Sequence, residues 1–189
     1  GCRESDNSSL GDWYTDETKF PNGLHGIIDI CKRNGMKFGI WFEPEMISEN
    51  SRLYREHPDW CIHSPGRAPV ESRNQLVLDM ARSEVVDCIY NQISAMLSKY
   101  DISYVKWDMN RNITDNGSAS LPAEAQGEHT HRYILGVYSL MKRLTENYPG
   151  VLFEGCAGGG GRFDFGILYY MPQIWTSDDT DAIERLKIQ

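Results

Sequence analysis

The stretch SYVKWD, Ser103 to Asp108, reads as a short strand with two unlike faces. Successive strand side chains point to opposite sides, so Lys106 and Asp108 share one face and Trp107 takes the other. The residues before it have helical periodicity: Val85, Val86, Ile89, Ile93, Met96 and Leu97 fall on one stripe, with Ser83 as a candidate cap. After it comes a polar loop to about Gly127. A second helical pattern follows, with Ile134, Val137, Tyr138, Met141 and Leu144 inward and Pro149-Gly150 as its stop. The same alternation of apolar run and helix extends in both directions. Upstream lie MKFGIWF (Met36 to Phe42) and QLVLD (Gln75 to Asp79); downstream lie VLFEGC (Val151 to Cys156) and QIWTSD (Gln173 to Asp178). A helix from about Gly23 to Asn34, with Leu24, Ile27, Ile28 and Cys31 on one side, precedes the first run, and Gly35 supplies its stop.

Strand and helix alternating in this way predict repeated β-α units around a parallel sheet. Each run ends in polar or aromatic residues: Trp41 to Glu45, Asp79, Lys106 to Asp108, Cys156 with its glycines, and Ser177 to Asp179. In a parallel array these ends lie on one side of the sheet, so groups distant in sequence converge, which is an active-site layout. Periodicity fits an open sheet and a closed barrel equally well. Five strands in 189 residues are fewer than a whole barrel holds, since that takes about 250 residues.

The formal charge of −8 and the 40% hydrophobic content describe a folded acidic chain that repels nucleic-acid backbones and anionic lipid. There is no apolar run of about 20 residues, and the first residues are too polar for the core of a signal peptide. Cys2, Cys31, Cys61, Cys88 and Cys156 include no pair at zinc-ribbon or redox spacing, which leaves reduced cysteines of a cytoplasmic protein as the simplest reading. His129 and His131 do not face the same way on a helix and have no evident third ligand, so no metal and no cofactor are expected.

LGDW (Leu10 to Trp13), KFPNGL (Lys19 to Leu24), GMKFGIWFEPEM (Gly35 to Met46), HPDW (His57 to Trp60), RNQLVLD (Arg73 to Asp79), KWDMNR (Lys106 to Arg111), GGGRFD (Gly159 to Asp164) and WTSDDTDAIER (Trp175 to Arg185) stand in order along the chain. In this order and spacing they resemble the catalytic barrel of the bacterial α-galactosidases of glycoside hydrolase family 36. The resemblance implies a (β/α)8 TIM barrel present in part, approximately strands two to six, with residues 1–189 as a partial catalytic domain. A flanking N-terminal β-sandwich, the first barrel strand with its Asp-Asp-Gly-Trp segment, the last barrel units and a C-terminal β domain are then expected to lie outside it. The implied activity is retaining hydrolysis of terminal α-galactosyl groups from oligosaccharides such as melibiose or raffinose, by a homo-oligomer. An α-N-acetylgalactosaminidase, a galactosyl-transferring relative and a non-catalytic galactoside-binding fragment are the alternatives.

By the same resemblance, Asp108 is the nucleophile and Asp178 the general acid/base. Trp41, Arg73, Lys106, Cys156, Gly158 and Gly159 match positions that line the galactose site. Lys106 would favour the ionised Asp108 carboxylate, although a Lys-x-Asp triplet at a strand end is also an ordinary surface ion pair. Asp178 is expected in an apolar, partly closed setting formed by Trp175 beside the like charge of Asp179, which is its rival for the acid role. Asp181, three residues before Glu184, reads as a helix cap. Trp41 and Cys156 have competing readings as core residues, and the glycines as a tight turn. Glu43 and Glu45, which flank Pro44, read as residues that orient the loop and neighbouring basic groups rather than as the catalytic pair.

Overall fold

The computed structural model describes residues 3 to 189, so Cys2 lies outside the described residues. Four strands form a parallel sheet in the order β1 (Gly39–Phe42), β4 (Tyr104–Trp107), β5 (Leu152–Gly155), β6 (Gln173–Ile174). Between β1 and β4 the chain forms a separate antiparallel pair, β2 (Met46–Ile47) with β3 (Leu76–Val77). The helices are α1 (His25–Arg33), α2 (Arg52–Glu56), α3 (Ser83–Lys99), α4 (His129–Asn147), α5 (Phe165–Tyr170) and α6 (Ala182–Ile188). This α/β architecture around a parallel sheet is that of a partial barrel domain.

The run Gln75 to Asp79 departs from expectation. It is extended, but it pairs with Met46–Ile47 and not with the parallel sheet, so β1 lies directly against β4. Leu76, Val77 and Leu78 are all buried, and a strand buried on both faces carries no periodicity to say which sheet it joins. The turn before it is tight. Arg73 and Asn74 both have positive φ, +54° and +57°, while Ser72 and Gln75 exchange main-chain hydrogen bonds at 3.1 Å, the pattern of a two-residue hairpin turn.

Helix boundaries follow local chemistry. Helix α1 ends as expected: Gly35 takes φ +69° and the Gly35 and Met36 N–H groups bond back to Lys32 and Cys31 at 3.0 and 2.9 Å, a Schellman ending. In α3 all six residues of the expected stripe are buried, but Ser83 is the first helical residue and Arg82 occupies the cap position. Asp12, in the LGDW stretch, accepts the first N–H groups of α2, from Arg52 at 2.8 Å and Leu53 at 3.0 Å. Asp181 caps α6 through Ile183 and Glu184, at 2.9 and 3.1 Å, the role its spacing indicated.

Helices α3 and α4 pack on each other. Beside them Val105, Trp107, Phe42 and Phe153, on the helix-facing side of the sheet, are at most 2% exposed. Gly136 is the tight point of α4, since a Cβ there would run into the Met80 carbonyl. Gly136→Ala is therefore expected to destabilise the fold, although alanine is the better helix former, by about 1–3 kcal/mol as for other overpacked core sites. Thermal unfolding checks this, and an unchanged or higher midpoint would refute the packing argument.

Candidate active site

Strand register builds the site. Trp41, Lys106, Glu154 and Gln173 are successive partners across β1, β4, β5 and β6. The ladder continues one step beyond the strands: Asp108 N–H bonds to Phe42 O at 2.9 Å, Cys156 N–H to Trp107 O at 2.7 Å and Trp175 N–H to Gly155 O at 2.9 Å. Glu43, Asp108, Cys156 and Trp175 thus leave four neighbouring strands at one level. This is where a parallel sheet gathers functional groups.

Asp108 is 6% exposed. Its Oδ2 accepts from Trp41 Nε1 at 2.9 Å and Asn110 Nδ2 at 2.8 Å, and its Oδ1 from the Met109 N–H at 2.9 Å. The Cys156 thiol is a fourth donor. Burial pushes the carboxyl up, but the bonds from Trp41, Cys156, Asn110 and Met109 together outweigh it and hold Asp108 below the ordinary aspartate value. Burial also pushes the Cys156 thiol up to about 11, against a Gly159 N–H that favours the thiolate. The thiol keeps its proton at neutral pH and stays a donor.

Lys106 shares the face of Asp108, yet its ammonium lies 4.4 Å from the centroid of the Trp175 ring, a cation–π contact. The ionised Asp108 therefore rests first on hydrogen bonds. The Trp175 indole N–H in turn donates to Asp178 Oδ1 at 2.8 Å. Asp178 is exposed, so the apolar, partly closed setting expected for it is not formed among the described residues. Trp175 meets it with its N–H and not with an apolar face. Asp179 lies alongside, accepting the Asp181 N–H at 3.0 Å.

Arg73 reaches the site from the hairpin turn, and its Nη1 donates to the Asn110 carbonyl at 3.0 Å. Left-handed backbone suits Asn74 but is uncommon for arginine; here it directs the guanidinium onto the residue that holds Asp108. In the glycine loop, Gly159 has φ +92° and a Cβ there would come within 2.8 Å of the Thr176 carbonyl, whereas Gly158, at φ +59°, faces open space. Gly159 thus serves loop packing, and Gly158 offers an open surface. A cavity of about 480 Å³ lies between this loop and the segment after β4, lined by Asn110, Asn112, Gly158 and Arg162 among others.

The melibiase family profile matches residues 1–189. The chain belongs to the melibiase family. It is 58% identical to alpha-galactosidase Mel36A of Lactobacillus acidophilus over 189 residues, all of this chain and 26% of that protein. Among solved structures, the GH36 alpha-galactosidase AgaA of Geobacillus stearothermophilus in complex with raffinose matches with a TM-score of 0.96 at 56% identity, over 100% of this chain and 26% of that one. AgaA in complex with stachyose gives 0.95 at 56% identity with the same coverage. The chain spans about a quarter of the length of the curated relatives it matches. Each of these two melibiase complexes carries one replaced aspartate, and the two positions are as far apart in sequence as Asp108 and Asp178.

Two contributors had little signal in the sequence. Asn110 stands two residues beyond Asp108, inside KWDMNR, but a polar residue after a strand is usually a turn former. Trp41 read as a position lining the galactose site or as core, and the structure uses its indole N–H as a donor to Asp108. Trp41→Phe removes that donor and keeps an aromatic ring at the position. The Asp108 carboxyl is then expected to titrate at higher pH, read by carboxyl-carbon NMR. The depressed native value contributes stability that is present above the unfolded aspartate value and lost as pH falls through the folded one, so the variant should lose its share at less acidic pH. An unmoved Asp108 titration would show that the indole bond does not hold the charge.

Proposed function

We propose that this chain carries the reacting carboxylates of a retaining α-galactosidase, with Asp108 as nucleophile and Asp178 as general acid/base. The observation that carries the reading is the Asp108 environment: a buried carboxylate kept ionised by four neutral donors and not tied up by a cation. A salt-bridged carboxylate would have to leave its partner to attack; one held only by hydrogen bonds stays charged and oriented. The α-galactosidase names of the relatives and the raffinose and stachyose complexes of AgaA support terminal α-galactosyl groups of oligosaccharides as substrate.

In this mechanism Asp108 attacks the anomeric carbon while the Asp178 carboxylic acid protonates the departing glycosidic oxygen. Water, deprotonated by Asp178, then hydrolyses the galactosyl ester and restores both groups. Exposure of Asp178 lets it meet both leaving group and water, and its bond to Trp175 sets its direction. Lys106 on the adjacent inner row and Arg73 over Asn110 are assigned to sugar hydroxyls, with Cys156 and the open face of Gly158 beside the ring. Trp41 contributes its ring edge as well as its bond to Asp108.

We further read the chain as part of a (β/α)8 barrel domain within a larger polypeptide, acting as a homo-oligomer in the cytoplasm. The four described cysteines are free thiols, which suits a reducing compartment. No helix among the described residues is long and apolar enough to cross a membrane.

The test uses the full-length protein and two α-galactosides, one with an activated aryl group and one with an alkyl group. Asp108→Ala should abolish turnover of both. Asp178→Asn should slow the alkyl substrate far more than the aryl one, since only the poor leaving group needs a proton. Proton NMR of the first-formed galactose should find the α anomer. Inversion, or equal losses for both substrates in the Asp178 variant, would refute the assignment.

A further inference from the structure

Glu43 stands at the end of β1, level with Asp108 on β4, and is 1% exposed. Its Oε1 accepts the Asn110 N–H at 2.6 Å and its Oε2 accepts Gln75 Nε2 at 3.2 Å. Among the described residues no basic side chain forms an ion pair with it, in contrast to Glu45 two residues on, which pairs with Arg162 at 2.8 Å. A buried carboxyl normally has such a partner or gives up its charge. The first assignment of Glu43, to orienting the loop, does not explain why an acid is used there.

Asn110 supplies the explanation. Its N–H bonds to Glu43, its side-chain amide bonds to Asp108 Oδ2 at 2.8 Å, and its carbonyl accepts Arg73 Nη1 at 3.0 Å. Bonds at the Asn110 N–H and carbonyl fix its main chain and with it the direction of its Cα–Cβ bond, so Glu43 and Arg73 together set the base from which the amide reaches Asp108. We propose that Glu43 is a positioning residue for the Asp108 nucleophile, acting through Asn110, with its charge coupled to that of Asp108. This rests on the functional reading above and adds a residue which that reading leaves idle.

The coupling follows from the groups around Glu43. Burial is the main influence raising its carboxyl, the Asn110 bonds oppose it, Asp108 adds repulsion, and Arg3 from the N-terminal segment lowers it through space; the balance sits at about 7. Asp108 is held low by its own donors. Near neutrality one of the two carboxyls is therefore fully charged and the other is titrating. When ionised, Glu43 accepts the Asn110 N–H as a charge-assisted bond and places a second negative charge beside the oxocarbenium ion that develops at the sugar. When protonated it does neither, although the turn stays filled.

The experiment measures kcat and KM against pH for the full-length protein on an activated aryl α-galactoside, for which proton donation by Asp178 contributes little. Wild type should gain kcat/KM through a limb with its midpoint at about 7. Glu43→Gln keeps the shape and an acceptor for Asn110, and should lose that limb, with kcat down about tenfold and KM changed less than about twofold. In an Asn110→Ala background the same change should cost less than about threefold, because the route to Asp108 is already cut. A limb that persists unchanged in Glu43→Gln, or effects that simply multiply, would overturn the proposal while leaving the α-galactosidase reading in place. Wild type inert toward the galactoside would remove both. If Glu43→Gln does not fold, carboxyl-carbon NMR of wild type decides: the Asp108 signal should move at the Glu43 midpoint, and an Asp108 signal that ignores it overturns the coupling.

Discussion

Glu45 is the group on which the arrangement depends. It is fully buried, and its two oxygens receive Trp107 Nε1 at 3.0 Å from β4, Tyr133 OH at 2.6 Å from α4 and Arg162 Nη1 at 2.8 and 3.0 Å from the loop after β5. A charge without solvent must be paired and have its lone pairs filled, and removing one partner leaves the rest uncompensated. The turn after β1, the core tryptophan of β4, helix α4 and the glycine loop can therefore reach low energy only together. Tyr133 is pushed well above its usual value by burial first and the facing Glu45 charge second, so it acts purely as a donor. The Glu45 main-chain carbonyl, which accepts the Leu78 N–H at 2.9 Å, ties in the antiparallel pair as well.

Three carboxylates near the sheet end have three different surroundings. Glu45 has a cation and is immobilised. Asp108 has only neutral donors, so its charge is kept but not consumed. Asp178 is exposed, with one indole donor on its Oδ1. Chemistry that needs one permanent anion and one exchangeable proton is served by such inequality. Glu43 is, like Asp108, buried without a cation, but burial outweighs its donors and raises its carboxyl where that of Asp108 is lowered.

Legibility in the sequence followed the physics of each signal. The stripe of α3 was readable to the residue because one helix face against a core leaves a strong period. The convergence of Trp41, Lys106, Asp108 and Cys156 was readable because parallel strands must end on one side. Gln75 to Asp79 was readable as extended but not as separate from the parallel sheet, since a run buried on both faces carries no period to say which partner it takes. The closed setting for Asp178 was inferred from a nearby tryptophan, and composition does not tell whether an indole offers its face or its N–H. Asp12 caps α2 from far away in sequence, which no local pattern announces; Asp181 announced itself as a cap because the acid three residues later completes the pattern.

The strands serve two tasks through their alternation. Val105 and Trp107 face the helices while Lys106 and Asp108 face the candidate site, so the register that buries the core is also the register that aligns the polar groups at the sheet end. A slip of one residue would send Lys106 and Asp108 into the apolar layer and bring Trp107 out. Glu45 guards against this from the core side: its bond to the Trp107 indole is possible only when Trp107 faces inward at that level. On the other side, Tyr104 OH reaches Glu154 at 2.6 Å and the Gln173 amide meets the same carboxylate, locking β4, β5 and β6 in the same register. The polar groups on both faces thus discriminate against slipped pairings that hydrophobic burial alone would tolerate.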